Sequence, residues 1–331
     1  MMPTISSGKF VVVGGASQIG SHIGEQLLAG GAREVVLLDN LSLGSSELLE
    51  PLLKDRRCTL VRGDVLRPSD LYDPLASADG VFAVAGLMAS SIDQNPWVGL
   101  DVNIRGLQNT LEACRYQRVK KVVFSSSTGV YGAPESDSTD EDSPLRWQML
   151  SPAMALYCAS KIAGEALAKL YHDHHGIDFV ALRYSAVYGE RQHRRALVGG
   201  HIAETCERIR CGQPAIVDGD GDGRQAYDYV YAGDVARANL MAMESSVTAE
   251  AINISSGVGT LQSRIVEIVA QACGTQPRVE SRQRASSGKM PSTTQYAFAR
   301  EKARLLLGWE PQVSIEQGVA RVLAWVDQRP S

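Results

Sequence analysis

An α/β fold built on a doubly wound parallel sheet is expected from three features of this 331-residue chain. Short β-rich apolar runs alternate with helical patterns through the first half, as parallel strands joined by crossover helices do. The first such run leads directly into a glycine-bearing turn, Gly14-Gly15-Ala16-Ser17-Gln18-Ile19-Gly20. Hydrophobic residues make up 44% of the chain and charged ones 21%, an ordinary balance for a protein that buries a real core.

Taken in order, the expected strands are Phe10–Val13, Val35–Asp39, Thr59–Arg62, Gly80–Ala85, Lys121–Ser125 and Asp178–Arg183. Helical patterns lie between them around Gly20–Ala29, Val102–Tyr116 and Ala153–His172. In such a sheet, ligands bind at the carboxyl ends of the strands. From about Ser185 the pattern changes. Helices near Ala196–Arg210, Gly233–Glu244, Ser263–Cys273 and Arg300–Leu307 alternate with short strands such as Ala251–Ile254. Turn-rich segments, Asp218–Gly223 and Ser281–Ser292, separate them, and the second is polar enough to be a mobile loop. Residues 1–184 therefore read as the sheet domain. Residues 185–331 read as a smaller C-terminal α/β substrate domain, partly interleaved with the first.

Composition excludes some function classes. The net charge is −4, so no general basic field attracts nucleic acid or anionic lipid. No apolar run approaches the roughly 20 residues that span a bilayer, and no signal-peptide pattern opens the chain. The six cysteines, Cys58, Cys114, Cys158, Cys206, Cys211 and Cys273, show neither metal-ligand spacing nor a disulfide framework. A cytoplasmic location is the expectation, with a small molecule rather than a nucleic acid or membrane as partner.

The glycine turn follows a strand and opens a helix, the context in which such a run holds a dinucleotide. Glycines let the backbone approach a pyrophosphate at the positive end of the helix. Gly14, Ser17, Gln18, Ile19 and Gly20 are the expected contacts. Asp39 ends the second strand about 20 residues further on, where a carboxylate accepts from the adenosine ribose hydroxyls. The same carboxylate repels a 2′-phosphate, and Asn40-Leu41-Ser42 supplies no arginine to welcome one. NAD is the expected cofactor, in a Rossmann-type site. Asp64-Val65, after the third strand, either meets the adenine or forms a plain strand-end turn.

Tyr157 and Lys161 stand at i and i+4, on one helix face. A tyrosine hydroxyl with a pKa near 10 is a poor base at neutral pH, and a nearby cation brings it toward a useful range. It can then take a hydroxyl proton as the neighbouring C–H leaves as hydride. Ser125-Ser126-Ser127-Thr128 follows an apolar strand, where hydroxyls can meet a substrate hydroxyl; a structural turn is the alternative.

Together these segments resemble the extended short-chain dehydrogenase/reductase superfamily, specifically the NAD-dependent epimerase/dehydratase family of nucleotide-sugar enzymes. The carriers are the glycine turn, Asp39-Asn40-Leu41-Ser42, Asp101-Val102-Asn103-Ile104-Arg105-Gly106, the serine run with Val130-Tyr131-Gly132, and Tyr157/Lys161. Arg183-Tyr184, Val187-Tyr188-Gly189, Tyr229-Val230-Tyr231, Asp234-Val235-Ala236 and Leu307-Gly308-Trp309-Glu310-Pro311 follow in order. The resemblance implies Tyr157 as acid/base, Lys161 on the nicotinamide ribose and Ser127 as the catalytic hydroxyl. It adds Asn40, Asp64, Val65, Ala85, Asn103, Ser125 and Tyr184 to the cofactor set. It also implies a homodimer formed through the helices Val102–Tyr116 and Ala153–His172, with Leu107, Leu111, Leu167 and Leu170 on the buried face. The family's dehydratases place acidic residues after the catalytic hydroxyl, whereas Thr128-Gly129 stands here. Dehydration is disfavoured, and a nucleotide-sugar 4-epimerase is the leading expectation. A dehydrogenase or reductase of a non-nucleotide alcohol is second; a non-catalytic NAD-responsive regulator is third, weakened by the retention of both Tyr157 and Lys161.

The departures concern the substrate. Ser17 replaces the middle glycine of the loop. Ala186 stands where the family has an asparagine, and Tyr227 where an arginine grips the diphosphate. Gly288-Lys289-Met290-Pro291 replaces an Arg-Pro-Gly-Asp-like element, while Trp147, Met149 and Met154 add apolar surface near Tyr157. Thr128, Ala186, Arg191, Arg194, Arg224 and Tyr227 are the candidate substrate contacts. The cluster Arg191, His193, Arg194, Arg195 is either a solvated face or an anion site.

No metal site is expected. Asp218-Gly219-Asp220-Gly221-Asp222-Gly223 imitates a calcium loop, but its twelfth position is Tyr229 instead of a bidentate glutamate. His172, His174 and His175 sit at a helix end, where cations suit the dipole.

Overall fold

A computed structural model describes residues 3–132, 138–146, 150–192, 200–218, 225–282 and 297–328. Trp147, Met149, His193, Arg194, Arg195, Arg224, Lys289 and the 219–224 and 283–296 parts of the two expected turn segments lie outside the described residues.

The first six strands are β1 (Lys9–Val13), β2 (Glu34–Asp39), β3 (Cys58–Arg62), β4 (Gly80–Ala83), β5 (Lys121–Ser127) and β6 (Asp178–Tyr184). The second half contributes β7 (Ala186–Tyr188), β8 (Ala215–Asp218), β9 (Ala226–Tyr231), β10 (Glu250–Ile254), β11 (Gly259–Leu261) and β12 (Val279–Arg282). Seven of these form one sheet in the order β10-β6-β5-β4-β1-β2-β3, every neighbouring pair parallel. Its central strands read as unbroken apolar runs, Val11-Val12-Val13 and Val122-Val123-Phe124, because both faces are covered. On one face the core takes in Ile23 and Leu27 of the helix Gln18–Ala29, Val235 and Ala242 of the helix Ala232–Glu244, and Trp309. On the other it takes in Leu107, Leu111 and Ala168 from the helices Leu107–Gln117 and Pro152–His175. Strand order reverses at β1, which lies between β4 and β2, and the crevice this opens at the carboxyl ends is where a ligand fits.

The long helix is bounded by local chemistry. Ser151 caps its N-terminus with Pro152 in the first turn, and Gly176, at φ 67°, ends it after His172, His174 and His175. The expected helix Val102–Tyr116 instead opens as a π-helical turn, Asp101–Gly106, before the regular helix Leu107–Gln117. Two strands also differ from expectation: β4 stops at Ala83, and β5 runs on to Ser127.

The rest of the C-terminal half builds a second core. The sheet β11-β9-β7 and the parallel pair β12-β8 pack with the helices Gly200–Arg210, Gln262–Ala272 and Ile315–Asp327. The last of these helices went unanticipated. β10 and the helix Ala232–Glu244 return to the large sheet, so the chain crosses between the two cores after residue 185. No described helix is long and apolar enough to cross a membrane. Among the described residues no group of His, Cys, Asp or Glu has metal-holding geometry.

Candidate active site

The glycine turn joins β1 to the helix Gln18–Ala29 with very little room. Gly14 has φ +89°, and a Cβ there would lie 2.6 Å from the Ala85 amide nitrogen. A Cβ on Gly20 would lie 2.2 Å from the Gly14 carbonyl oxygen. Ser17 explains the missing middle glycine: its hydroxyl donates to the Gly14 carbonyl (2.7 Å) and accepts the Gly20 amide (3.1 Å), so it caps the helix. The helix carries no acidic residue of its own in its first turn, so the positive end of its dipole meets no carboxylate from the helix itself. The donors, the closeness and the missing acid all suit a pyrophosphate.

Asp39 stands beside this turn at the end of β2. Its carboxylate accepts from the Ala16 amide (2.9 Å) and the Leu41 amide (2.8 Å). Burial pushes its pKa up, and these two amides pull the other way. Asn40 donates to Asp64 at 3.3 Å, and Asp64 accepts the Leu66 amide, so the ends of β2 and β3 are tied into one rim. Val65 is buried, with its carbonyl on Asn109. Ile19 packs against the core. The Gln18 side chain bonds to the carbonyls of Gly189 (3.0 Å) and Glu190 (3.2 Å), across the junction with the second half.

The candidate reacting groups meet at the ends of β4 and β5. The Lys161 ammonium donates to the Ser125 carbonyl at 2.8 Å and lies 5.8 Å from the Tyr157 ring centre. Ser127 stands close enough to the Tyr157 hydroxyl to pull its pKa down, and the Ser127 hydroxyl accepts the Gly129 amide at 3.0 Å. Tyr157 and Lys161 are both buried. Desolvation pushes Tyr157 up to about 12, against the pull of Ser127, and pushes Lys161 down to about 8, against the field of Glu165. Burial by itself thus opposes the phenolate–ammonium pair, and a further positive charge in the site is needed to favour it.

Asn103 clamps the loop after β4. Its amide oxygen accepts the Leu87 amide (2.6 Å), while its nitrogen donates to the Leu87 carbonyl (2.9 Å) and the Ser160 hydroxyl (3.1 Å). The π-helical turn sets this reach, as π-bulges often do at functional sites. Gly86 was not singled out from the sequence, yet a Cβ there would stand 3.3 Å from the Lys161 ammonium. Its signal was a glycine immediately after the expected strand Gly80–Ala85.

Other expected contacts are engaged within the fold. The Tyr184 hydroxyl is shared between Ser125 (3.1 Å) and Asn239 (3.0 Å). Thr128 donates to the Tyr184 carbonyl. Ala186 pairs with Tyr229 and Tyr227 with Thr260, both against the second core. Arg191, expected to face substrate, has φ +61° and places its guanidinium 2.7 Å from Glu25, on the helix Gln18–Ala29. Met154 does lie beside Tyr157, in a small apolar cluster with Ala89, Ile92, Cys158 and Leu150.

Residues 10–255 match the profile of the NAD dependent epimerase/dehydratase family. The chain belongs to that family. It is 34% identical to a putative UDP-glucose 4-epimerase of Methanocaldococcus jannaschii over 96% of this chain and 97% of that one. The structure of Thermus thermophilus UDP-glucose 4-epimerase in complex with NAD superimposes with a TM-score of 0.83, at 31% identity, covering 97% and 99% of the two chains. That of a UDP-N-acetylglucosamine 4-epimerase from Methanobrevibacter ruminantium, in complex with UDP-N-acetylmuramic acid, gives 0.86 at 27%, covering 98% and 100%. The family is NAD-dependent, and the turn around Gly14 has the shape and donors for that cofactor.

Proposed function

We propose that this protein is a nucleotide-sugar 4-epimerase that uses Tyr157, Lys161 and Ser127 on a secondary hydroxyl of the sugar. The observation that carries the reading is the buried Tyr157 with the Lys161 ammonium alongside and Ser127 near its hydroxyl, at the strand ends next to the glycine turn. Bound NAD supplies a hydride acceptor, and later donor, for the carbon bearing that hydroxyl. Tyr157 takes the hydroxyl proton and returns it; Ser127 holds the hydroxyl in line; Lys161 is one of the positive charges that favour the buried phenolate, alongside the charge that oxidised NAD would bring when bound. Thr128-Gly129 after Ser127 offers no acid or base for eliminating water, which favours epimerisation over dehydration.

The diphosphate clamp differs from the family pattern. Tyr227 is a neutral donor, so a charge-assisted contact of about 1.5–3 kcal/mol is absent at that position. With Arg191 held by Glu25, we assign the compensating charge to Arg194 or Arg224. We further propose a cytoplasmic homodimer. All six cysteines are free thiols, as a reducing compartment keeps them.

The reading is tested by incubating the NAD-loaded protein with UDP-glucose and, separately, UDP-galactose. The expected result is a mixture of the two C4 epimers from either side, with no net rise in reduced-nicotinamide absorbance. Stoichiometric accumulation of NADH without an epimer would replace the epimerase by a dehydrogenase.

A further inference from the structure

One buried ionic cluster stands directly behind the reacting groups. Glu165 lies one helical turn beyond Lys161 and two beyond Tyr157, on the same face. One carboxylate oxygen accepts the Ser126 hydroxyl at 2.5 Å. Arg183 on β6 grips both oxygens, with bonds of 2.9 and 2.8 Å, and the two side chains are only 12% and 15% exposed. The same guanidinium donates to the Tyr131 hydroxyl at 2.8 Å, which donates in turn to Asn253 of β10 at 2.7 Å.

Ser126 is the informative member. It sits between Ser125, whose carbonyl receives the Lys161 ammonium, and Ser127, whose hydroxyl meets Tyr157. Alternate strand residues face opposite ways: the Ser126 side chain meets the helix Pro152–His175 while the Ser125 hydroxyl bonds to Tyr184, so a bond on Ser126 fixes the backbone that Ser125 and Ser127 share. The carboxylate that holds Ser126 belongs to the helix that carries Tyr157 and Lys161. A buried ion pair contributes little net stability compared with apolar packing, and what it offers best is a single fixed arrangement.

We propose that Glu165 is a positioning residue for the reaction: through Ser126 and Arg183 it sets the spacing between the helix face bearing Tyr157 and Lys161 and the strand end bearing Ser125 and Ser127. Arg183 shares this role by orienting the carboxylate bidentately, and Tyr131 and Asn253 extend the brace to the edge strand of the sheet. Misplacement of reacting groups by about 1 Å costs on the order of 100-fold in rate, so the brace acts on kcat. The inference rests on Tyr157, Lys161 and Ser127 being the reacting groups.

The test uses the NAD-loaded protein and four variants. Ser126→Ala removes the pin and leaves the ion pair. Glu165→Gln can still accept from Ser126 but loses the paired grip of Arg183. Both are expected to lower kcat by about 10- to 100-fold, with KM for the nucleotide sugar and NAD affinity within about twofold of wild type. The double variant should be no worse than the poorer single one, because both cut the same brace. Unchanged kcat in Ser126→Ala overturns the proposal. So does a parallel loss of kcat, sugar affinity, NAD affinity and Tm, which marks a purely structural cluster. Should Glu165→Gln fail to fold, Ser126→Ala decides alone. Tyr157→Phe separates the two readings: if it turns over normally, the assignment of reacting groups falls and takes this one with it. An inactive Tyr157→Phe beside a normal Ser126→Ala refutes the brace alone.

Discussion

At the scale of single residues, the proposed catalytic pair is set by a conflict between burial and charge. Lys161 is held near 8 by desolvation, below its ordinary 10.5. Below pH 8 the folded state therefore bears the full cost of a buried ammonium. Between 8 and 10.5 the unfolded chain binds a proton that the folded one does not, so this cost is relieved as pH rises. The stability of NAD-free wild type relative to Lys161→Met is expected to increase from pH 8 to pH 10, measured by urea unfolding at each pH. The buried thiols pull the other way at high pH, but equally in both proteins, and the shift at Tyr157 acts only above 10. A flat difference would show that the Lys161 amine is not desolvated. Lys161→Met should also lose turnover. That Tyr157 and Lys161 share one helix face was legible in the sequence from their i, i+4 spacing; the roles proposed for them came from the family resemblance. The approach of Ser127 to Tyr157 was legible only through the family resemblance, since β5 had to run two residues past its expected end to deliver it.

At the scale of elements, the glycine turn shows how local chemistry and a distant strand share one constraint. Gly14 needs a positive φ, which a sequence can suggest, but the atom that forbids a side chain there belongs to Ala85, after β4. Gly14→Ala is expected to abolish NAD binding in calorimetry while circular dichroism stays close to wild type; unimpaired binding would show that the turn can open without cost. The last helix, Ile315–Asp327, was legible and overlooked. Ser314 and Gln317 form a reciprocal capping box before an apolar run, a signature written within four residues. The π-helical turn at Asp101–Gly106 was not legible. Its sequence scores as ordinary helix, and the wider turn makes sense only once Asn103 has Leu87 and Ser160 to bind.

At the scale of the whole molecule, the apolar residues expected at a dimer face divide into two groups. Leu107 and Leu111 are buried inside the chain's own core, so they are unavailable for a partner, which corrects that expectation. Leu167 packs partly against the same core, and Leu170 is exposed. Trp97 is 76% exposed and Leu156 39%, on the helix Pro96–Leu100 and on the long helix beside it. Under the proposed homodimer these side chains meet a second copy. Light scattering at micromolar concentration should give twice the 35.7 kDa chain mass, and Trp97→Asp with Leu170→Asp should give monomers. A monomeric wild type would refute the assembly.

By itself the sequence determined the wound sheet, the place of the glycine turn and the residue types of the reacting pair. Each of these is written in short-range periodicity: apolar runs, a strand–glycine–helix junction, two residues one turn apart. Only the tertiary structure decided that β10 and the helix Ala232–Glu244 return from the second half to complete the sheet. It alone turned Arg191 toward Glu25. It alone joined Ser126, Glu165 and Arg183, which lie far apart along the chain, into one cluster. Those outcomes depend on which groups at long sequence separation share a buried volume, where an unpaired charge or hydroxyl is too costly to leave alone, and no local pattern encodes that choice.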